Sequence, residues 1–159
     1  MSDTIEGFIN RITPKEMLLL EKEIYDKSLL AFTFVDEFIL HNYPDDLLSD
    51  DIVQFDISDY PDANSAGIYL EEWNYDPSPL GKNEFNLSVP ILLEDRIKKI
   101  LEVLEIVVKH PNVNRMAVSI NRCSEIEEIK TCDFKTYKKV IMEDCLNDCP
   151  PNKLYIINE

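Results

Sequence analysis

The sequence predicts a single α+β domain spanning residues 1–159, with an antiparallel sheet of about five strands and helices packed mainly on one face. Three observations lead there. An apolar stripe with the 3.6-residue period runs through about 91–109. Strand-type runs separated by turn residues recur over 51–57, 67–75 and 84–89. The composition, 45% hydrophobic and 30% charged over 159 residues, is that of one folded domain and not of a disordered or low-complexity chain.

Taken in order, Asp3-Thr-Ile-Glu6 has capping-box spacing and Ile5, Phe8, Ile9 and Ile12 follow at helical intervals, which predicts a short helix over about 3–12. Thr13-Pro14-Lys15-Glu16 supplies a capping hydroxyl, proline at the first helical position and a glutamate three residues after the cap. The helix it starts is expected to continue to about His41 along Met17, Leu20, Ile24, Ala31, Val35 and Ile39, although Phe32 to Val35 also suit a strand. Residues 51–57, 67–75 and 84–89 then read as a meander with one wet face, since Phe85, Leu87 and Val89 alternate with polar residues. In the helix over about 91–109 the stripe is Leu93, Ile97, Ile100, Leu101, Leu104, Val107 and Val108, and Pro111 stops it. Arg115 to Asn121 alternates as a strand, Ser124 to Thr131 is ambiguous, and a helix over about 133–146 puts Phe134, Tyr137, Ile141 and Cys145 on one face. A closing strand covers Leu154 to Ile157.

Charge is distributed unevenly along this chain. Thirty-one acids against 16 bases give a formal net charge of -15. From Ser28 to Gly81 there is no lysine or arginine, while twelve acids fall there, so that one stretch carries most of the excess. Direct binding to nucleic acid or anionic lipid is disfavoured by like-charge repulsion. The stretch also holds Phe32, Phe34, Phe38, Tyr43, Phe55, Tyr60, Tyr69, Trp73 and Tyr75, so it is expected to be folded and not a solvated tail.

The residue types needed for most chemistry are poorly placed. Only Gly7, Gly67 and Gly81 are glycines, too far apart for a phosphate loop or a nucleophile elbow. His41 and His110 stand at predicted helix ends, where histidine complements the dipole. Asp62-Ala-Asn64-Ser-Ala-Gly67 begins like a calcium loop, but Ala66 offers no oxygen at the fifth position and Trp73 replaces the bidentate acid at the twelfth. Cys123, Cys132, Cys145 and Cys149 lack the paired spacing of a zinc site and are expected to be free thiols. Glu71 and Glu72 point to opposite faces of a strand, and no base stands nearby to hold phosphate. No catalytic residue, cofactor or metal site is therefore expected, and the acidic start and lack of a long apolar run suggest a cytoplasmic protein.

A docking surface for a cationic protein is the remaining expectation. Its candidate contacts are Asp45, Asp46, Asp50, Asp51, Asp56, Asp59, Asp62, Glu71, Glu72, Trp73, Tyr75 and Asp76, which combine long-range attraction with aromatic anchors. Rings on strands also fill cores, and the pattern is compatible with either placement. The segment Ala66-Gly-Ile-Tyr-Leu-Glu-Glu-Trp-Asn-Tyr-Asp-Pro, with Phe85-Asn-Leu-Ser-Val-Pro-Ile and the long helix after it, resembles the immunity proteins of bacterial contact-dependent and other polymorphic toxin systems. That resemblance implies a non-enzymatic inhibitor that occludes the basic groove of a cognate toxin, often a nuclease. The alternative is a small cytoplasmic adaptor or regulatory domain that binds another protein through helix packing, its acidity serving solubility. An enzyme built on scattered carboxylates would require a pocket with at least two convergent acids.

Overall fold

The computed structural model describes residues 3–35, 43, 51–58, 67–68, 93–123 and 125–158. The elements follow the order β1 (Asp3–Asn10), α1 (Pro14–Ser28), β2 (Ala31–Val35), β3 (Ile52–Ser58), β4 (Gly67–Ile68), α2 (Leu93–Val108), β5 (Met116–Asn121), β6 (Glu128–Cys132), α3 (Phe134–Asn147) and β7 (Lys153–Ile157). Six strands form one sheet in the order β2-β3-β1-β5-β7-β6, and two-residue β4 pairs with Asp3 and Thr4 of β1. All pairings are antiparallel except that of β6 with β7, which α3 connects as a parallel crossover. The α+β class is thus as expected, with six strands on the main path in place of about five.

Three expectations are corrected. Residues 3–10 are a strand, not a helix. Ile5, Gly7 and Ile9 turn to one face and Thr4, Glu6, Phe8 and Asn10 to the other, and pairing with β3 and β5 satisfies both edges of the backbone. Both faces are covered, with Ile5 and Ile9 at 0% exposure and Phe8 at 1%, so this central strand lacks the alternation that marks a half-buried one. Secondly, α1 ends at Ser28 instead of running to about 41. Leu29 adopts the left-handed conformation (φ 61°) and returns its N–H to the Tyr25 carbonyl, and the Ser28 hydroxyl donates to the Ile24 carbonyl while accepting from Leu30 N–H. Residues 31–35 then leave as β2 to pair with β3. Thirdly, β3 pairs with β2 and β1 and not with the strand after it; the remainder of the expected meander, 69–75 and 84–89, lies outside the described residues.

Other elements form where their local chemistry places them. Thr13 closes a capping box, its Oγ1 accepting from Glu16 N–H at 3.2 Å while Glu16 Oε2 accepts from Thr13 N–H at 2.8 Å. Asp133 caps α3 by accepting Thr136 N–H at 2.7 Å. All three helices pack on one face of the sheet. There Leu20 and Ile24 of α1, Ile97, Ile100, Val103, Leu104 and Val107 of α2, and Phe134, Tyr137, Ile141 and Cys145 of α3 enclose Ile5, Ile9, Phe55, Ile57, Val118, Ile120 and Tyr155. Each such aliphatic or aromatic side chain contributes about 1.5–3 kcal/mol by leaving water. In α2 the buried stripe centres on Val103, and Leu93, Leu101 and Val108 lie at its partly buried margins.

The opposite face carries a smaller apolar group of Phe8, Tyr43, Ala117, Ile126 and Leu154. At one end of the sheet Asn10 ties β1 to the turn before β5, donating to the Asn112 carbonyl at 2.7 Å and accepting Asn114 N–H at 2.8 Å. At the other end buried Asp3 accepts two bonds from the Arg122 guanidinium, at 2.8 and 3.2 Å.

Candidate functional site

The described strands of the base-free stretch are grouped together. Its strands β2, β3 and β4 lie together on one side of β1, whereas β6, α3 and β7 form the opposite end. Residues 128–157 hold five lysines and five acids, so that end is electrically balanced. Four of its charges are paired with one another. Asp144 accepts from the Tyr155 hydroxyl at 2.6 Å and from Lys130 at 3.2 Å, with Lys153 at 3.6 Å, and Lys153 also meets Glu128 at 3.3 Å. Burial pushes the Asp144 carboxyl up, but these donors outweigh it and hold the group below the usual carboxylate range.

Of the expected partner contacts, Asp51 and Asp56 fall within the described residues. Asp51 precedes β3 and is exposed. Asp56 is half-buried in the middle of β3 on the face away from the helices. Burial raises its carboxyl above the ordinary value, only partly offset by the Gln54 amide, which donates to Oδ1 at 3.5 Å. Asp45, Asp46, Asp50, Asp59, Asp62, Glu71, Glu72, Trp73, Tyr75 and Asp76 lie outside the described residues, as do His41, the strand expected over 84–89 and, apart from Gly67, the calcium-like run from Asp62.

The register assembles a polar group that sequence inspection did not find. Thr33 pairs with Asp56, Asp56 with Glu6, and Glu6 with Ser119, which makes one cross-strand row over β2, β3, β1 and β5. Gln54 and Asn121 flank the row diagonally, and Glu6 is 2% exposed. Asn121 Nδ2 donates to Glu6 Oε2 at 3.4 Å and to Ser119 Oγ at 3.2 Å. Gln54 Oε1 and Asn121 Oδ1 are buried with no hydrogen-bond partner. Glu6 and Asp56 thus stand directly opposite each other on neighbouring strands. Ser119 and Asn121 are legible as alternating strand residues, but Glu6 is hidden in what reads as a helix start.

A second feature lies at the β2 edge. Leu18, Glu21, Lys22 and Tyr25 of α1 and Ala31, Phe32 and Thr33 of β2 line a shallow groove, with the Phe34 N–H donating to Glu21 Oε1 at 3.1 Å. Leu18, Leu19, Tyr25 and Leu29 present exposed apolar surface along this helix.

Among the described residues no three His, Cys, Asp or Glu side chains come together as a metal-holding group, and no helix is long and apolar enough to cross a membrane. The four cysteines are free, Cys145 buried and Cys123 exposed. Compared with protein-family models, curated proteins and solved structures, the chain matches none.

Proposed function

We propose that this chain is a non-enzymatic acidic inhibitor, an immunity protein that works in the cytoplasm by docking on a basic partner, the cognate toxin domain, and covering its substrate groove. A nuclease is the toxin class that fits best, because a groove built for phosphate is cationic and accepts an anionic surface in its place. The observation that supports this reading is the grouping of the described strands of the base-free stretch: β2 and β3 lie side by side and β4 lies on the same side of β1, while the balanced charges of β6, α3 and β7 lie at the other end. A one-sided field steers a cationic partner and orients it, which a uniform surface charge would not do. Asp51 and the acids of the same stretch outside the described residues are the docking groups. Asp56, half-buried on the face away from the helices, offers less of its carboxylate to such a partner than exposed Asp51.

The test is to co-express the chain with the product of the adjacent upstream open reading frame and measure association at rising salt. Association is expected to approach about 10⁸ M⁻¹s⁻¹ at low salt and to slow steeply as salt rises. Replacing Asp50, Asp51, Glu71 and Glu72 by lysine should slow it at least tenfold and abolish protection of the host cell. Unchanged association in that variant overturns the proposal.

A second reading, an adaptor that binds through helix packing, is favoured by the exposed Leu18, Leu19, Tyr25 and Leu29 of α1. Under that reading Leu18→Asp with Tyr25→Asp abolishes partner binding and the lysine replacements leave it intact.

A further inference from the structure

Strands β2 and β6 stand at the two ends of the sheet's main path, and their outer edges differ. At β2 the Phe34 N–H donates to Glu21 of α1 at 3.1 Å, so the helix beside that edge occupies it. At β6, among the described residues, β7 alone pairs with the strand. Asn158 N–H donates to the Cys132 carbonyl at 3.0 Å, and main-chain groups alternate in direction along a strand. Glu128, Lys130 and Cys132 therefore turn their N–H and C=O groups to β7, while Ile129 and Thr131 turn theirs outward. Glu127, Glu128, Ile129 and Thr131 are exposed, Ile129 at 40%. An edge of this kind is a template for a further strand. Its charges indicate which strand fits. On the helix face Lys130 meets Asp144 at 3.2 Å, Asp144 meets Lys153 at 3.6 Å and Lys153 meets Glu128 at 3.3 Å. The inner pair of this line is the more covered, and its two ends, a cation and an anion two residues apart on β6, are the more open.

We propose that the β6 edge takes a second copy of this chain, the two β6 strands pairing antiparallel about a two-fold axis at Ile129 and joining two sheets into one. The outward groups restrict the register to odd-numbered residues opposite odd-numbered ones. With Ile129 opposite Ile129 of the partner subunit, Glu128 faces Lys130 of the partner subunit on both sides of the axis. These are the pairs without main-chain bonds, where side chains come closest. Each line of four charges then closes on the other as a ring of alternating sign. Sliding the strands by two residues either way puts Lys130 or Glu128 on the axis against its own copy, where like charges repel. Lysine ordinarily guards an edge strand against pairing. Here Lys130 is held by Asp144 of its own chain and answered by Glu128 of the partner subunit. A net charge of -15 opposes association of two copies in general, and the end with five lysines and five acids over residues 128–157 is where they approach with least repulsion. Strands β2, β3 and β4 point away from the axis in both copies, so this surface is separate from the docking surface proposed above and does not depend on it.

The experiment is sedimentation equilibrium over a concentration series, with the parent chain, Ile129→Asp and Ile129→Lys measured alone and the two variants mixed. The parent is expected to become dimeric as concentration rises. Position 129 meets its own copy on the axis, so either variant alone sets like charges against each other and should associate at least tenfold more weakly. An equal mixture should regain the dimer, because an aspartate then faces a lysine. Ile129 is exposed and belongs to neither apolar cluster, which suits it to such changes. Independently of any substitution, amide hydrogen exchange at Ile129 and Thr131 of the native protein should slow as the dimer forms, while the amides of β2 do not change. A monomer at every concentration up to about 1 mM, where an association free energy is already slight, overturns the proposal. So does a mixture no more associated than its components. A dimer whose Ile129 and Thr131 amides exchange as in the monomer also overturns it, since the contact then lies elsewhere, as on the exposed leucines of α1.

Discussion

Replacing Gly7 by alanine should destabilise the protein, reversing the usual effect of that change in a strand. Alanine in place of a strand glycine ordinarily gains about 0.5–1 kcal/mol, because the unfolded chain has less freedom to lose. Here space decides the sign. A Cβ at position 7 would collide with the backbone carbonyl oxygen of Ala117 and would stand 2.6 Å from Cζ of Phe55. The ring can rotate at some cost, but the carbonyl belongs to β5 and moves only if the β1–β5 ladder shifts. Overpacking of a core costs about 1–3 kcal/mol when side chains can adjust, and a backbone obstacle in the central pair puts this change at about 3 kcal/mol. For a chain of this length each kcal/mol lowers the melting temperature by about 2–4 °C, so a fall of about 6–12 °C is expected. Urea titration followed by circular dichroism measures it, with the midpoint reduced and the slope unchanged. Adding Phe55→Leu should recover part of the loss, since it removes one of the two obstacles. A Gly7→Ala protein as stable as the parent would refute the account of how β1 sits between its neighbours.

Two further outcomes follow from the structure. Leu29→Gly should stabilise the protein by about 0.5–1 kcal/mol in the same urea titration, because an exposed leucine in the left-handed region carries a steric cost that glycine does not; a loss of stability would show that the Leu29 side chain is itself a needed contact. For Asp144, whose carboxyl is held low by Tyr155, Lys130 and Lys153 against burial, the contribution to stability is complete above the unfolded carboxylate value of about 3.9 and is lost as pH falls through the lower folded value. Asp144→Asn should therefore flatten the fall in urea midpoint between about pH 4 and pH 2 relative to the parent, and parallel profiles would contradict the assignment.

How far the fold could be read from the letters differs by element, and the reasons are physical. The cap of α1, the stripe of α2, the four inward residues of α3 and the strands β3, β5 and β7 carry local signals that agree with their surroundings. The first strand misled because Phe8 and Ile9 are both buried, on opposite faces, which imitates a helical stripe, and because Asp3 and Glu6 have cap spacing while in fact lying one on each face of the sheet. The stop of α1 was invisible because Leu29, not glycine, takes the left-handed conformation. β6 was ambiguous because an edge strand with exposed Glu128, Ile129 and Thr131 has little apolar pattern to show. For the candidate site, the acidic stretch was plain in the composition, but the row of Thr33, Asp56, Glu6 and Ser119 exists only through a register that joins residues 6, 56 and 119. Composition marks a region, whereas opposition of two particular carboxylates is a property of pairing.

The position of β1 in the middle of the sheet also bears on how the molecule is made. This strand is synthesised before the other strands of its sheet, yet the partner that covers its second edge follows much later, with Glu6 and Asn121 separated by 115 residues. Until β5 has been synthesised, an apolar strand with an open edge has to be kept from pairing with other nascent chains. The β6–α3–β7 unit, by contrast, is short-range and can close soon after it emerges. Acquisition of the native state is thereby tied to the synthesis of β5, and a chain truncated before β5 would be expected to aggregate instead of persisting as a partial domain.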